Sequence, residues 1–393
     1  MENNKTRQRI GILIDSNSNA AGSFTYSMYM TKYLINFLSN KYEISLYITD
    51  KSSFNILQSE FKVKPTYFKA SYMDYFLIAI ADLFNLKLLK KSKLDKILKN
   101  DQIGLLIFTS PSFLSTLVRS SNFIYCIWDM CHINNIEWPE IRETNQHQMR
   151  NSLYSSTLNR ATFLIVDSQE TKYEINDRYR YPKDKSFVMP LGTFNPRKST
   201  EDRQNSKLLD LPDKYFYYPA QYWRHKNHAK LIMAFKKFVH LHPEYHLIFS
   251  GKDFGCKSEI IKIVNESILQ EKILLLDYVS NNQKDELMKS SQGLIFPSYF
   301  GPTNIPPQEA WTFEIPVALS NIHSKHYIGD AALLFNPSDV NEIFESMENL
   351  IDEDIKKRLI KSGKNRLVEL ENERVLFGVE INNALDFLFL KLT

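Results

Sequence analysis

The feature that most constrains the fold of this chain is a strand–loop–helix alternation that begins near the N-terminus and begins again near residue 205. The first round opens with an apolar run at residues 10–14, a small and polar loop, and an apolar-periodic stretch at 24–38. Further predicted strands follow at residues 42–48, 103–108, 123–127 and 162–166. Strands that alternate with helices indicate a parallel sheet covered by helices on both faces.

The second round predicts another α/β domain. Its strands are expected at residues 215–218, 246–249, 273–276 and 294–296, with a helix at 228–240. The chain has 393 residues, and single cores usually stop growing near about 250–300 residues. We therefore predict an α/β protein of two doubly wound, Rossmann-like domains that face each other across a cleft.

The domain boundaries follow from a polar stretch with Pro and Gly at residues 190–206, which is typical of a linker. We expect an N-terminal Rossmann-like domain at residues 1–195 and a C-terminal Rossmann-like domain at 205–375. Residues 376–393 are expected to form a helix that crosses back to the N-terminal domain.

Composition excludes several classes of protein. The formal net charge of +4 is too weak to indicate nucleic-acid binding. The three cysteines, Cys126, Cys131 and Cys256, fit neither a disulfide framework nor a CxxC metal site, which favours the cytoplasm. No stretch approaches the roughly 18–20 apolar residues that cross a bilayer. We expect a cytoplasmic protein without a signal peptide or a transmembrane helix.

One segment of the second round carries the strongest indication of chemistry. A predicted strand that ends at Phe296 is followed by a loop rich in Pro and Gly, a helix that starts near Pro306 or Pro307, and another buried strand within residues 315–320. A helix start offers backbone N–H groups to an anion such as a diphosphate. Glu309, about one turn into that helix, can accept hydrogen bonds from ribose hydroxyls, or can be an acid that favours the helix dipole. The residues alone leave both interpretations open.

The same segment resembles the donor-binding signature of family 4 retaining glycosyltransferases, which have the two-domain GT-B fold. Residues 297–310 read Pro-Ser-x-x-Gly-Pro-Thr-Asn-Ile-Pro-Pro-x-Glu-Ala. The resemblance implies that Glu309 contacts the donor's ribose. The family's loop near the donor's sugar and diphosphate matches Thr303, Asn304 and Ile305. Most members carry another glutamate eight positions earlier, where this chain has Gly301, so Gly301 is expected at the donor site without that carboxylate.

A second candidate segment joins the predicted strand at residues 215–218 to the helix at 228–240. Its loop carries Arg224 and Lys226. Two cations in a loop after a strand can stabilise a departing diphosphate without a metal, although either can be an ordinary solvated charge. The resemblance favours the first interpretation because the family places an Arg and a Lys here for the donor's phosphates.

A third segment, the loop after the predicted strand at 123–127, holds Asp129 and His132. A carboxylate and an imidazole at this spacing can face one cleft, with the carboxylate orienting the ring; a lone His is more often structural. The pair resembles the family's loop near the transferred sugar, which implies a polar contact of His132 with donor or acceptor. The expected catalytic set is Asp129, His132, Arg224, Lys226 and Glu309.

The loop before the first helix lacks GxGxxG, so a dinucleotide fingerprint is not supported. Its Gly22 and Ser23 match the family's small-residue loop that faces the donor phosphate, whereas the residues alone indicate only a helix cap.

Residues 72–100 combine an aromatic and aliphatic stretch with lysines spaced among leucines. Such sequence can lie on an anionic membrane surface or can be a solvated helix face. In the family this region often meets the membrane, so we expect a peripheral contact with the cytoplasmic face of the inner membrane. The only Asp-x-Asp, at residues 352–354, is better explained as a helix start. We expect no metal site and no cofactor.

The resemblance implies a metal-independent, retaining hexosyltransferase that uses a GDP- or UDP-sugar, with mannose favoured, and a glycan or lipid-linked glycan acceptor of O-antigen type. It also implies that the N-terminal domain lies on the acceptor side and that the C-terminal domain binds the nucleotide sugar. The leaving phosphate is the expected proton acceptor. A catalytically silent sugar-nucleotide-binding or assembly protein of the same fold is the alternative, since Gly301 replaces a glutamate. An epimerase or a phosphorylase shares the two-domain plan, but no lysine context suggests the pyridoxal phosphate that a phosphorylase needs.

Overall fold

The computed structural model describes residues 8–16, 21–76, 92–192, 211–301, 303–322 and 325–392. The chain divides into two compact units. The first comprises Met1–Ile133, His147–Pro190 and Glu373–Thr393, and the second comprises Asn134–Gln146 and Leu191–Asn372. The change at Pro190 falls at the predicted linker, whose residues 193–206 lie outside the described ones. Residues 134–146, which the sequence division assigned to the N-terminal domain, belong to the second unit.

Within the described residues, the first unit contains a parallel sheet of seven strands in the order β3-β2-β1-β4-β5-β6-β7. The strands are β1 Arg9–Ile14, β2 Glu43–Ile48, β3 Thr66–Tyr67, β4 Ile103–Phe108, β5 Asn122–Ile127, β6 Phe163–Val166 and β7 Ser186–Val188. The central strands are almost continuously apolar and buried, because a parallel sheet is covered on both faces.

The second unit, over the same described ranges, contains a parallel sheet of six strands in the order β10-β9-β8-β11-β12-β13. The strands are β8 Tyr215–Pro219, β9 His246–Ser250, β10 Ile273–Leu276, β11 Gly293–Phe296, β12 Val317–Ser320 and β13 Leu333–Phe335. Its core is also built from strand residues, with Tyr217, Ile248 and Leu294 fully buried.

Helices connect the strands and cover the sheets. They are α1 Ala21–Leu38, α2 Phe54–Phe61, α3 Lys93–Asn100, α4 Cys131–Asn134, α5 Pro139–Arg142, α6 Gln146–Leu158, α7 Gln169–Tyr179, α8 His228–Leu241, α9 Lys257–Glu266, α10 Asn281–Lys289, α11 Ile305–Thr312, α12 Lys325–Ile328, α13 Val340–Ile351 and α14 Glu353–Leu392. Helix starts follow local chemistry: Ser280 and Gln283 form a capping box at α10.

The doubly wound α/β class predicted from the sequence is confirmed. Every predicted strand is present within one or two residues of its expected ends, and the alternation missed only short strands such as β3, β7 and β13. The Asp352 carboxylate accepts N–H groups from Asp354 and Ile355 at the start of α14, as expected of a helix start. None of the helices in the described part of the chain combines the length and apolarity that crossing a bilayer requires.

Each sheet reverses its strand order at one point, and these points position the candidate site. In the first unit β1 lies beside β4, and in the second unit β8 lies beside β11. The loops that leave two such strands run in opposite directions and open a crevice, where doubly wound folds bind ligands. The loops after β8 and β11 are the ones that carry the strongest sequence motifs.

Candidate functional site

The loops after β8 and β11 are fastened to each other in the second unit. The backbone N–H of Tyr299 donates to the carbonyl of His225 at 2.8 Å. The buried amide of Asn227 donates to the carbonyls of Pro297 and Pro337, at 3.1 and 2.7 Å. Asn227 itself has a φ of +60°, a left-handed conformation that Asn tolerates better than most residues. The structure therefore brings the two predicted donor-binding loops together.

The two predicted phosphate-binding cations point in different directions. The ammonium of Lys226 lies 3.5 Å from the hydroxyl of Ser298 and 5.3 Å from the centre of the Phe296 ring, so it faces the loop after β11. The guanidinium of Arg224 forms a 3.0 Å ion pair with Glu259, and both side chains are more than half exposed. Lys226 thus faces the loop at which the donor's phosphates are expected, whereas Arg224 is paired with Glu259 at the surface; phosphate binding by either residue stays a prediction.

Glu309 lies in α11 beneath these loops and is 6% exposed at its side chain. Its Oε1 is 2.5 Å from the ammonium of Lys284 in α10. Its Oε2 is buried and has no hydrogen-bond partner among the described residues. Burying an unsatisfied carboxylate oxygen is costly. A ligand hydroxyl is the kind of group that would satisfy this oxygen.

The loop that carries Gly301 and Asn304 is held in a specific conformation. Gly301 has a φ of +108°, a backbone conformation that residues other than glycine rarely adopt. The side-chain amide of Asn304 donates to the Gly301 carbonyl at 2.9 Å, and its backbone carbonyl accepts from the Tyr327 hydroxyl at 2.8 Å. A glutamate at position 301 would be strained, so the backbone conformation explains why this position holds a glycine rather than a glutamate.

The start of α11 offers fewer amides than expected from the sequence. The helix begins at Ile305, and Asn304 caps it without a side-chain hydrogen bond. Pro306 and Pro307 have no N–H, and the N–H of Gln308 forms the first intrahelical hydrogen bond with the Asn304 carbonyl, so of the first four helical residues Ile305 alone has an N–H for an anion. Ile305, Asn304 and Thr303 are partly exposed, so they are accessible to a ligand.

Asp129 and His132 lie after β5 in the first unit, but not as the orienting pair that the sequence suggested. The Asp129 carboxylate binds Arg150 at 2.9 Å and accepts the Cys131 N–H at 2.9 Å. Burial alone would raise the pKa of Asp129, but Arg150 and the hydrogen bonds outweigh it and hold the pKa below its usual value. The expectation that Asp129 orients His132 is therefore wrong.

His132 is completely buried. Neither ring nitrogen has a partner among the described residues, and the ring packs edge-on against Tyr154 with centroids 5.1 Å apart. Burial, helped by the charge of Arg150, lowers the pKa of His132 to about 3, so the imidazole is neutral at pH 7. Its contact with a sugar stays a prediction.

Gly22 and Ser23 follow β1 at the crossover of the first sheet. They lie in the first turn of α1, which starts at Ala21, rather than in the preceding loop, whose residues 17–20 lie outside the described ones. A side chain at Gly22 would meet no atom of the described residues within 4 Å. Their contact with a donor phosphate stays a prediction.

Two further expectations concern the surface and metals. Of the expected membrane-contacting region, Tyr72, Met73 and Phe76 are strongly exposed, while residues 77–91 lie outside the described ones. Among the residues that the structure describes, no group of three His, Cys, Asp or Glu side chains is placed to hold a metal ion. Membrane contact and metal independence both stay predictions.

A family match covers the part of the chain that carries the second-unit site. Residues 199–366 match the family model described as Glycosyl transferases group 1. The matched residues make up somewhat less than half of the chain and are similar to a group 1 glycosyltransferase domain. This match includes Arg224, Lys226 and Glu309, and it agrees with the GT-B resemblance of the motif.

Two curated relatives share about half of the chain. The O-antigen chain mannosyltransferase B of Escherichia coli is 26% identical over 202 residues, which cover 50% of this chain and 52% of that protein. The O-antigen chain mannosyltransferase RfbU of Salmonella typhimurium is 24% identical over 199 residues, 50% of this chain and 53% of that protein. The chain thus spans about half the length of the curated relatives that it matches.

The fold extends over nearly the whole chain. The crystal structure of Anabaena Alr3699/HepE in complex with UDP and glucose superposes with a TM-score of 0.70 at 14% identity and covers 97% of this chain and 100% of that one. At this identity the similarity establishes the GT-B fold of the chain and neither its activity nor its substrates.

Sequence reasoning missed the residues that hold the glycosyltransferase motifs in place. Lys284 pairs with Glu309 from a polar helix whose sequence gives no sign of the contact. Glu140 reaches His225 from 85 positions earlier in the chain. The motif Glu-Trp-Pro-Glu at residues 137–140 was visible in the sequence, but only the fold shows which loop it supports.

Proposed function

We propose that this protein is a retaining hexosyltransferase that moves a sugar, mannose first among the candidates, from a nucleoside-diphosphate donor to a glycan or lipid-linked glycan. The proposal rests chiefly on Glu309, whose buried Oε2 has no partner among the described residues while Oε1 is held by Lys284. This carboxylate is suited to accept hydrogen bonds from ribose hydroxyls.

The loops above Glu309 supply what a diphosphate requires. Lys226 provides a positive charge directed at the loop after β11, and the backbone N–H of Ile305 provides a donor at the start of α11. As the bond to the sugar breaks, negative charge grows on the diphosphate, and preorganised donors stabilise that charge. We propose that the leaving phosphate also takes the proton of the attacking hydroxyl, so that no side-chain base is required.

The identity of the donor is proposed from the relatives. The two curated relatives are mannosyltransferases of the O-antigen chain by name, which supports mannose from GDP-mannose and an O-antigen-like product. The Anabaena structure holds UDP, which supports UDP-sugars as the second candidates. Contact with the inner membrane is proposed because Tyr72, Met73 and Phe76 present exposed apolar side chains.

A ligand panel tests the proposed donor site. Thermal unfolding is followed with GDP, UDP and ADP and with their mannose or glucose conjugates, with and without EDTA. We expect one nucleotide series to raise the midpoint in wild type and to lose that effect in Lys226→Ala, with Lys236→Ala, an exposed lysine of α8, behaving as wild type. Absence of any shift in wild type would refute the proposal, and a shift that EDTA abolishes would refute metal independence.

The catalytically silent alternative is favoured by one observation, the left-handed glycine at position 301 where most family members carry a glutamate. It predicts nucleotide binding without donor consumption. Following donor breakdown by phosphorus NMR in the presence of an acceptor extract separates the two functions, because only a transferase releases the nucleoside diphosphate.

A further inference from the structure

Residues 134–146 form a segment of the second unit that comes from the middle of the first unit's sequence. Its short helix α5 begins after Trp138 and places Glu140 beside the loop that follows β8. The mechanism proposed above assigns no role to residues 134–146. Its contacts nevertheless concentrate on the residue between the two predicted phosphate-binding cations.

That residue is His225, and Glu140 holds it at two points. Oε1 of Glu140 accepts the backbone N–H of His225 at 2.9 Å and lies 2.5 Å from its ring Nδ1. The two side chains are only 9% and 8% exposed. A buried backbone N–H that loses its acceptor carries a full desolvation penalty. The conformation of the loop at His225 therefore depends on the reach of the Glu140 side chain.

The His225 ring also contacts the loop after β11, so its position affects that loop as well. It stacks on Phe300 with centroids 3.8 Å apart and planes inclined by 16°. Trp138, from the same segment as Glu140, packs on Tyr299 with centroids 4.9 Å apart. Phe300 immediately precedes Gly301. One segment thus fixes both loops that the proposed donor site requires.

Charge argues against a direct role of Glu140 in binding phosphate. Burial alone would raise the pKa of Glu140, but the hydrogen bonds from His225 outweigh it and lower the pKa to about 2. Burial lowers the pKa of His225 to about 4, so this ring is neutral at pH 7. An ionised carboxylate repels a nearby diphosphate, so Glu140 cannot contribute to phosphate binding by attracting the ligand.

We propose that Glu140 is a positioning residue for the diphosphate-binding loop, which it acts on through His225, and this inference rests on the proposed function. The quantity that matters is the position of the acceptor oxygen rather than the charge. Glu140→Gln keeps an oxygen at the same reach and removes the charge. Glu140→Asp keeps the charge and withdraws the oxygen by one methylene.

The test compares the affinities of GDP and UDP with those of guanosine and uridine by isothermal titration calorimetry. For the nucleotide that wild type binds, we expect Glu140→Asp and Glu140→Ala to lose about tenfold or more in affinity, the factor that about 1.4 kcal/mol represents. Glu140→Gln is expected to stay within about threefold of wild type on the same scale. The nucleoside, which lacks phosphates, should bind equally to all variants. Glu137→Asp, an exposed acid of the same segment, is the matched control.

The outcomes separate this inference from the proposed function. If wild type binds neither nucleoside diphosphate, both are overturned. If wild type binds and Glu140→Asp binds equally well, only the inference fails. Equal losses for nucleoside and nucleotide would show a general structural role and would also overturn it. Should Glu140→Ala not fold, the contrast between the Gln and Asp variants decides, and retention by Asp with loss by Gln would contradict positioning.

Discussion

Replacing Glu309 by Gln removes the charge of the proposed ribose-binding group and leaves its size almost unchanged. In the structure Oε1 is engaged by Lys284, so only Oε2 is available to a ligand. The variant keeps a carbonyl oxygen but presents a weaker acceptor. It therefore probes the strength of a hydrogen bond to this position with little change in packing.

The expected magnitude follows from the burial of the group. A hydrogen bond to a charged group contributes about 1.5–3 kcal/mol and one between neutral groups about 0.5–1.5 kcal/mol. Exchanging one for the other should therefore cost about 1–1.5 kcal/mol, which corresponds to about 5- to 13-fold in a dissociation constant. The substitution also leaves Lys284 without its carboxylate. Because the side chain of Lys284 is 22% exposed and can reach water, the loss of stability should stay below the roughly 3–5 kcal/mol of a fully buried broken pair.

Calorimetric titration with a nucleoside diphosphate and with the matching nucleoside measures this effect. Since both ligands carry the ribose, Glu309→Gln should weaken both by the same factor, with Glu271→Gln, an exposed glutamate, as control. Denaturant unfolding of the same samples reports how much stability is lost. Unchanged nucleoside affinity, or a loss confined to the diphosphate, would refute the assignment of Glu309 to the ribose.

Four further predictions follow from the same structure. Lys226→Ala should weaken a nucleoside diphosphate by about 10- to 150-fold without changing nucleoside affinity, and an equal loss for both ligands in calorimetry would contradict its role. Glu259→Gln should free Arg224 from its ion pair. Since an exposed pair contributes at most about 1 kcal/mol, the affinity for the nucleotide should rise no more than about fivefold. Weaker nucleotide binding would argue against competition between Glu259 and a phosphate for Arg224. Gly301→Glu should lower the thermal midpoint without raising donor turnover, because a side chain at a φ of +108° costs about 1–3 kcal/mol; higher turnover would show that the missing carboxylate limits the enzyme. The pKa of His132 is lowered from 6.5 to about 3, so its contribution to stability is present above pH 6.5 and is lost as pH falls towards 3. In urea titrations, His132→Phe should therefore lose less stability than wild type between pH 6.5 and 4. Identical dependence of stability on pH in the two proteins would contradict the shifted pKa.

The fold was predictable because parallel strands buried on both faces leave continuous apolar runs in the sequence. Strands β1, β4 and β8 are such runs, whereas β3 and β7 are too short to give a periodic signal. The break near residue 190 was visible as linker composition. The membership of residues 134–146 in the second unit was not, because it depends on contacts such as Glu140 with His225 that join distant positions.

The motifs of the candidate site were predictable from the sequence, because Lys226 lies in a loop that follows a strand and Glu309 lies near a helix start, and both are common positions for ligand-binding residues. Their partners were not. Lys284 could have paired with any acid, and only the packing of α10 against α11 selects Glu309. The Asp129 prediction failed for the same reason, because Arg150, from α6, takes the carboxylate that was expected to orient His132. Side-chain pairing between elements is decided by packing rather than by local sequence.

The most direct test of the central claim is a transfer assay with GDP-mannose and UDP-sugars, a lipid-linked glycan extract as acceptor, and proton NMR of the product. We expect one donor to be consumed and the new glycosidic bond to have the anomeric configuration of that donor, with the rate of transfer at subsaturating donor reduced in Glu309→Gln and Lys226→Ala. Donors that remain intact at high enzyme concentration, or a product of inverted configuration, would contradict the claim.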